Sequence, residues 1–492
     1  MINLDKLLKK NAAENGRLNK SLAENEKRLR SLLSGCDDIL FKSSMLSGIN
    51  ALFVCTDSMY SSLTSSIEVL GPILSSGFLP ENSLTLIDYI ALHTASDMEQ
   101  KRLYSFNDVV LGILSGCVVL LVDGSDCCLC FGAQGFPKRA VSDAVSEVDE
   151  LSAHEAFSES FKDNVALIRK RLHTHGLKIS YLQIGTLSKT TVCVCYIDGI
   201  ADAALVSSVK EKLGCIRVKA LSGAGTVSEF LESGFHVFSS IGTTERPDTA
   251  CAEMVEGRVV IITDGTPYAV IVPFLFSENF STVDDYNLRP AYALTARIIK
   301  YLAFFISVLL PGIYVSLCAF HQEALPEAML YDIAVQESIT PFPVMLETLF
   351  IHFVYEIVRE AGVRMPRTVG SAVSIVGGLV IGEAAVSAGL ISAPMLIVVA
   401  LSAITGFVVP KLYRNIALLR FSLIIISGFS GFYGITLFMC CVVCDMCRTG
   451  FMGIPITAPF SPFSLKSMRD TVIRRNWKKL SRSSFNIQQM ER

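Results

Sequence analysis

The stretch 298-IIKYLAFFISVLLPGIYVSLCAF-320 divides this chain into two solvents. A helix of about 20 apolar residues spans a bilayer. Before residue 290 the sequence reads as a water-soluble α/β protein. After it come further apolar stretches at 368–390, 391–409 and 418–443, with a shorter one at 344–358. The pattern predicts a two-subdomain α/β soluble N-terminal head followed by an α-helical transmembrane bundle. Five segments follow: a polar leading helix or arm (1–35), subdomain 1 (36–150), subdomain 2 (151–288), the helical membrane domain (289–446) and a basic C-terminal tail (447–492).

Of the 492 residues, 51% are hydrophobic, and the net charge is −3. That balance does not suit a nucleic-acid partner. Residues 1–35 are charged and lack an apolar signal core. The head is therefore expected to stay in the cytoplasm. Its share of the fifteen cysteines then reads as reduced thiols, mostly small hydrophobes inside apolar runs.

In the head, 5–33 has only a thin leucine stripe (Leu7, Leu18, Leu22, Leu29, Leu32) and reads as a solvated helix or arm. A strand is predicted at 50–56, helices at 58–75 and 107–117. Val118 to Val122 runs into Asp123-Gly124 and then into 127–131, a hairpin signal because both turn positions tolerate positive φ. The same plan returns as Val259 to Ile262, Asp264-Gly265 and 268–272. Two subdomains of similar plan follow, the second with strands at 179–184 and 192–197 and a helix at 201–213.

No catalytic constellation emerges. Ser222-Gly223-Ala224-Gly225-Thr226 lacks the lysine and spacing of a phosphate loop and reads as a turn. Cys127, Cys128 and Cys130 have no second ligand pair at zinc spacing, and only Cys128 and Cys130 share a strand face. His173 and His175 read as a solvated helix end. Cys440, Cys441, Cys444 and Cys447 lack the further Cys and Pro of an iron–sulfur site, so helix packing or acylation is the better reading. No metal, cofactor or enzymatic activity is expected.

Charge sets the topology of the membrane half. The loop 321–343 carries Glu323, Glu327, Asp332 and Glu337 and no Lys or Arg. Segments 359–367 and 411–420 are basic, and the tail beyond Met446 holds nine basic residues against two acidic. Basic segments stay inside. Head, both segments and tail would then share one side, yet 418–443 would have basic flanks at both ends. Either Gly428, Gly431 and Gly434 break it into a re-entrant pair, or the tail lies outside.

Intramembrane ionisable groups mark function or water. Glu347, His352 and Glu356 stand in the short stretch, with His352 and Glu356 on one stripe and Glu347 opposite. They suit an interfacial helix or one lining a wet path. The stretch 368–390 is two-faced. Ser371, Ser374, Gly378 and Gly382 form a small stripe for close helix packing. Val376, Val380, Glu383 and Ser387 point the other way, as in a pore-lining helix whose carboxylate draws cations and whose valines close by dewetting. A carboxylate held inside one bundle is the alternative.

These residues resemble the A subunit of GerA-type spore germinant receptors, including the stage V sporulation AF-type proteins. The matching runs are 163–172 (DNVALIRKRL), 245–248 (ERPD), 256–273 around Asp264-Gly265-Thr266-Pro267, 311–315 (PGIYV), 320–323 (FHQE), 368–378 and Leu419-Arg420-Phe421. The likeness runs from about Gly48 to the tail. One run departs: 151–157 (LSAHEAF) stands where the family has an Arg-Gly-Pro-x-Glu-Gly-Phe type segment. The resemblance implies the spore inner membrane, a homo-oligomer with an ion-conducting role in germination, and two partners. These are a transporter-like, nutrient-binding B subunit and a lipoprotein C subunit. A scaffold organising receptor clusters and a nutrient or ion transporter are the competing readings.

Overall fold

The computed structural model describes residues 16–60, 82–93, 99–132, 135, 147, 151–232, 234, 236–365, 380–463, 467–471, 473–474 and 487–490. Most of the helix expected at 58–75 lies outside them.

The head contains two five-stranded antiparallel sheets with the same strand order, β1-β2-β4-β5-β3 and β6-β7-β9-β10-β8. In the first, α1 (Leu22–Leu32) precedes β1 (Ile39–Leu46) and β2 (Ile49–Thr56); α2 (Ser83–His93), β3 (Gln100–Leu103), α3 (Phe106–Leu114), β4 (Val118–Val122) and β5 (Cys128–Phe131) follow. In the second, α4 (Phe161–Arg171), β6 (Leu177–Ile184) and β7 (Thr190–Ile197) lead to α5 (Ala203–Gly214), α6 (Ala224–Leu231), β8 (Gly242–Thr244), α7 (Pro247–Val255), β9 (Val259–Thr263) and β10 (Ala269–Val272).

The repetition extends to single hydrogen bonds. Asp123 accepts from the first amide of α1, Leu22 N, at 3.0 Å. Asp264 accepts from the first amide of α4, Phe161 N, at 3.3 Å. Each carboxylate thus caps a helix whose first N–H groups have no partner within the helix. The following Gly124 and Gly265 take φ of 82° and 84°, the left-handed region that suits glycine. Their amides donate to Lys20 O and Glu159 O, both at 2.8 Å.

The leading segment reads in the sequence as a solvated helix or arm; it holds the helix Leu22–Leu32, but that helix is packed rather than solvated. From Leu18 onward it is the counterpart of α4, and Leu18, Leu22, Leu29 and Leu33 are buried in the core with Val54, Val109 and Val119. Its stripe is thin because one turn of it is occupied by Asn25, which is itself buried and closes a loop onto Asn19. Asn164 does the same with Ser158.

The two sheets are joined through the turn before β1. Asp37 N donates to Ile179 O at 2.8 Å, and Ile179 N to Gly35 O at 3.2 Å, extending the second sheet beyond β6. Beside this seam Arg169 makes a bidentate pair with Asp38, at 2.8 and 3.0 Å, both side chains fully buried.

Among the described residues, five helices of eleven or more residues form the other half: α8 (Pro290–Ala319), α9 (Glu327–Glu337), α10 (Val344–Arg364), α11 (Ala393–Phe407) and α12 (Tyr413–Arg448). Residues 380–387 are also helical. Pro290–Ala319 and 410–448 are long and apolar enough to cross a membrane. However, α12 is not one straight rod. Gly431 has non-helical φ 58° and ψ −145°, a conformation restricted to glycine. A Cβ on Gly434 would stand 2.8 Å from Ile426 Cγ2 and Ser430 Cβ. In a straight helix Ile426 and Gly434 would be about 12 Å apart along the axis. So α12 is a helical hairpin, with limbs of roughly 25 Å each.

The course of the chain follows. The far end of α8 reaches the hairpin tip, where His321 stacks on Phe432 at 5.0 Å. Helix α10 returns toward the head, with Met345 against Gly428 and Glu356 against Tyr413. Residues 380–387 climb again, Gly389 meeting Ile339, and α11 descends until Gly406 meets Tyr413. The two limbs of α12 complete the set. Head and tail therefore lie on one side. A break at glycine was one of the two solutions open in the sequence.

Candidate functional site

The head offers packing rather than chemistry among its described residues. Burial pushes the Cys55 thiol up to about 11 and those of Cys128 and Cys251 up to about 12. Such thiols stay protonated near neutral pH and are poor nucleophiles and ligands. Burial disfavours the charge on Arg169, yet the Asp38 carboxylate overrides it and holds the guanidinium above its ordinary value. No group of three or more His, Cys, Asp or Glu able to hold a metal occurs among the described residues. Gly223, expected in a turn, is instead the N-cap of α6, with φ 148°. In the departing run, Glu155 pairs with Lys170 at 2.9 Å and Arg171 at 2.8 Å, and Phe157 is buried.

The polar side chains that set this protein apart lie in the helical half. Three of them were singled out on α10. Glu356 gathers the head-side end of the bundle. Its Oε1 accepts from Arg420 Nη2 at 2.6 Å and from the Tyr413 hydroxyl at 2.8 Å, and its Oε2 accepts from Arg359 Nε at 2.8 Å. Arg359 also lies over the Tyr413 ring, 4.5 Å from its centre. Arg420 is completely buried, and its Nε and Nη1 have no hydrogen-bond partner among the described residues. A buried, half-satisfied guanidinium is costly unless its carboxylate stays in place. This pair therefore fixes α10 to the first limb of α12. Sequence inspection gave Arg420 as part of a family run and of the basic segment 411–420, not as a buried partner of Glu356. Its partners Glu356 and Tyr355 lie on α10, a meeting that composition alone does not reveal.

His352 is fully buried one turn above, its Nδ1 2.9 Å from Thr348 O and its Nε2 3.3 Å from Ser402 Oγ. Glu347, placed by periodicity on the opposite side of α10, is just as buried. The start of α11 covers that side. Glu347 Oε1 accepts from Ser392 N at 2.5 Å and from Ser392 Oγ at 2.9 Å. Segment α10 thus packs its Glu347–Thr348–Ile351–His352 side against α11 and its Glu356 end against α12, and leaves Leu346, Phe350, Phe353 and Ile357 exposed.

Of the two-faced stretch, Ser371, Ser374, Val376 and Gly378 lie outside the described residues. Gly382 packs on Leu396, where a Cβ would meet its Cδ1 at 3.3 Å, and Ala385 is 8% exposed. Val380 is 56% exposed, and Glu383 and Ser387 are also exposed. At its described end, Gly382 and Ala385 are covered, whereas Val380, Glu383 and Ser387 are bare.

The chain is thus an α/β head of two like sheets joined to an apolar helical bundle that carries a buried Arg–Glu clasp and two helices long and apolar enough to cross a membrane. The family model described as Bacillus/Clostridium GerA spore germination protein matches residues 27–485. This chain belongs to the GerA family of spore germination proteins. It is 38% identical over 376 residues to spore germination protein KA of Bacillus subtilis (strain 168), covering 76% of this chain and 69% of that protein. It is 34% identical over 472 residues to the uncharacterized membrane protein YfkQ of the same organism, covering 94% and 90%. The crystal structure of the N-terminal domain of the A subunit of the Bacillus megaterium spore germinant receptor GerK3 matches 53% of this chain and 98% of that chain, with 23% identity and a TM-score of 0.42.

Proposed function

We propose that this chain is the A subunit of a spore germinant receptor in the spore inner membrane, with its head in the cytoplasm. In this reading several copies assemble so that 368–390 lines a cation path opened by nutrient. A transporter-like B subunit supplies nutrient binding, and a lipoprotein C subunit completes the complex. The observation that carries the reading is the bare Val380–Glu383–Ser387 face on a helix whose Gly382 and Ala385 are covered. An apolar residue can face lipid, but a carboxylate in a spanning helix requires water, a cation or a partner. A ring of copies would supply water and set the carboxylates around a shared axis.

Glu383→Gln tests this. Spores carrying the variant at normal protein level should release monovalent cations several-fold more slowly after nutrient addition. Unchanged release would remove Glu383 from the path. Under the scaffold reading, Gly382→Leu would disturb clustering while Glu383→Gln would leave the response intact.

A further inference from the structure

We infer that the far side of the bundle holds a site for a monovalent cation, built on Glu347 and Glu337 and closed by the Tyr314 and Ser392 hydroxyls. The site deepens the channel reading above, though its chemistry stands apart from the Val380–Glu383–Ser387 face.

Glu347 is completely buried, and its Oε2 has no hydrogen-bond partner among the described residues. Its Oε1 is held by Ser392, at the N-terminus of α11. Glu337, at the end of α9, also has a buried carboxylate oxygen, Oε1, without a partner. Gln336, beside Glu337, accepts from Ala393 N at 3.1 Å, next to the Ser392 amide that Glu347 holds, so both acids lie at the start of α11 and interact electrostatically, and Glu337 reaches Cys318. Tyr314 stands one turn from Cys318 on the same face of α8 and is 8% exposed. Its hydroxyl lies beside Ser392 and Cys318 but makes no well-aligned hydrogen bond among the described residues.

Charge balance turns this cluster into a site. Arg420 answers Glu356 at the head-side end of the bundle, but no Lys or Arg occurs in 321–343, and no ion pair is made by Glu337 or Glu347 among the described residues. An isolated buried carboxylate is strongly disfavoured. Two such groups together need a countercharge or a proton. The donor set, carboxylate and hydroxyl oxygens without a third acid or an imidazole, suits a hard cation rather than a transition metal; with one proton held by the carboxylate pair, a single positive charge balances the site. The acidic loop 321–343 would concentrate cations at this mouth of the bundle.

The position gives the site leverage. Ser392 follows directly on the segment that carries Val380, Glu383 and Ser387, and Gly389 in that turn packs on Ile339, just beyond Glu337. A cation bound between Glu347 and Glu337 would tie the turn between the two-faced helix and α11 to α9.

The test is the thermal unfolding midpoint of the detergent-solubilised full chain. It is followed by circular dichroism in KCl, NaCl or N-methylglucamine chloride at equal ionic strength. Wild type should be stabilised saturably by K⁺ or Na⁺ over the bulky organic cation. Glu347→Gln should abolish the difference, and Tyr314→Phe should raise the half-saturating concentration roughly tenfold, about 1.4 kcal/mol. If Glu347→Gln fails to fold, Tyr314→Phe and Glu337→Gln decide. Equal midpoints in all three salts, or a wild-type response that follows pH and not cation, would overturn the site, the latter result meaning that the carboxylates share a proton. Retention of the full wild-type cation effect in both Tyr314→Phe and Glu337→Gln would do so too. Because the readout is binding, its failure would leave the conduction result for Glu383→Gln standing, and the reverse.

Discussion

Asn415 and Asp445, near opposite ends of α12, both hydrogen-bond the backbone of Val237, Asn415 to its carbonyl and Asp445 to its amide at 2.9 Å. One residue of the head therefore holds both feet of the hairpin. His236 adds a second contact to Asp445 at 2.9 Å. Phe238 packs with Phe276 and Phe304, so the same short segment ties the head to α8. A movement of the hairpin feet is thereby felt at the second sheet.

This geometry predicts the sidedness of the tail. A cysteine added at the C-terminus of an otherwise cysteine-free chain should react with an impermeant maleimide only from the side of the head. Reaction from the opposite side would refute the hairpin. Gly431→Val should lower the yield of folded protein, because a β-branched residue does not take φ 58°, ψ −145° at acceptable energy.

The Asp38–Arg169 pair joins the two sheets with no exposure of either side chain. Asp38→Ala should lower the stability of the head by about 3–5 kcal/mol, because it strands a buried guanidinium. The double variant Asp38→Ala, Arg169→Met should recover part of that loss. Chemical denaturation checks both, and equal losses in the single and double variants would mean that the charge is not what matters.

Thiol reactivity follows burial. Cys215 is the exposed cysteine of the head, whereas Cys55, Cys128, Cys193, Cys195 and Cys251 are buried. Native protein at neutral pH should take up a water-soluble alkylating agent in the head mainly at Cys215, and at the others only on unfolding. Mass spectrometry of the labelled peptides shows which. The high values for Cys55 and Cys251 mean that raising the pH to 9 should add little, since thiolate forms only near 11 and 12.

How much of this was legible depended on the range of the interactions. The β4–β5 and β9–β10 hairpins announce themselves because Asp123-Gly124 and Asp264-Gly265 act locally. Strand β1 was missed. Its sequence, ILFKSSML, mixes polar and apolar residues because the strand lies at a sheet edge with several exposed positions. Its turn, Ser47-Gly48 at φ 50° and 86°, was a readable signal. The leading helix was misjudged for a related reason. Its four core leucines are spread over sixteen residues, and only the partner sheet makes them a core. In the helical half, apolar length located the helices. Which charges would meet did not follow from length, because Glu356 and Arg420 come together only after the chain has reversed several times.

The most direct test of the central claim is cation flux from spores carrying Val380→Ala, with Val376→Ala beside it and protein levels verified. A narrowing made by these side chains should open when they are shortened, so cations should leak, or germination should begin, without nutrient. Normal dormancy and a normal nutrient response in both variants would contradict the pore reading and place conduction elsewhere in the complex.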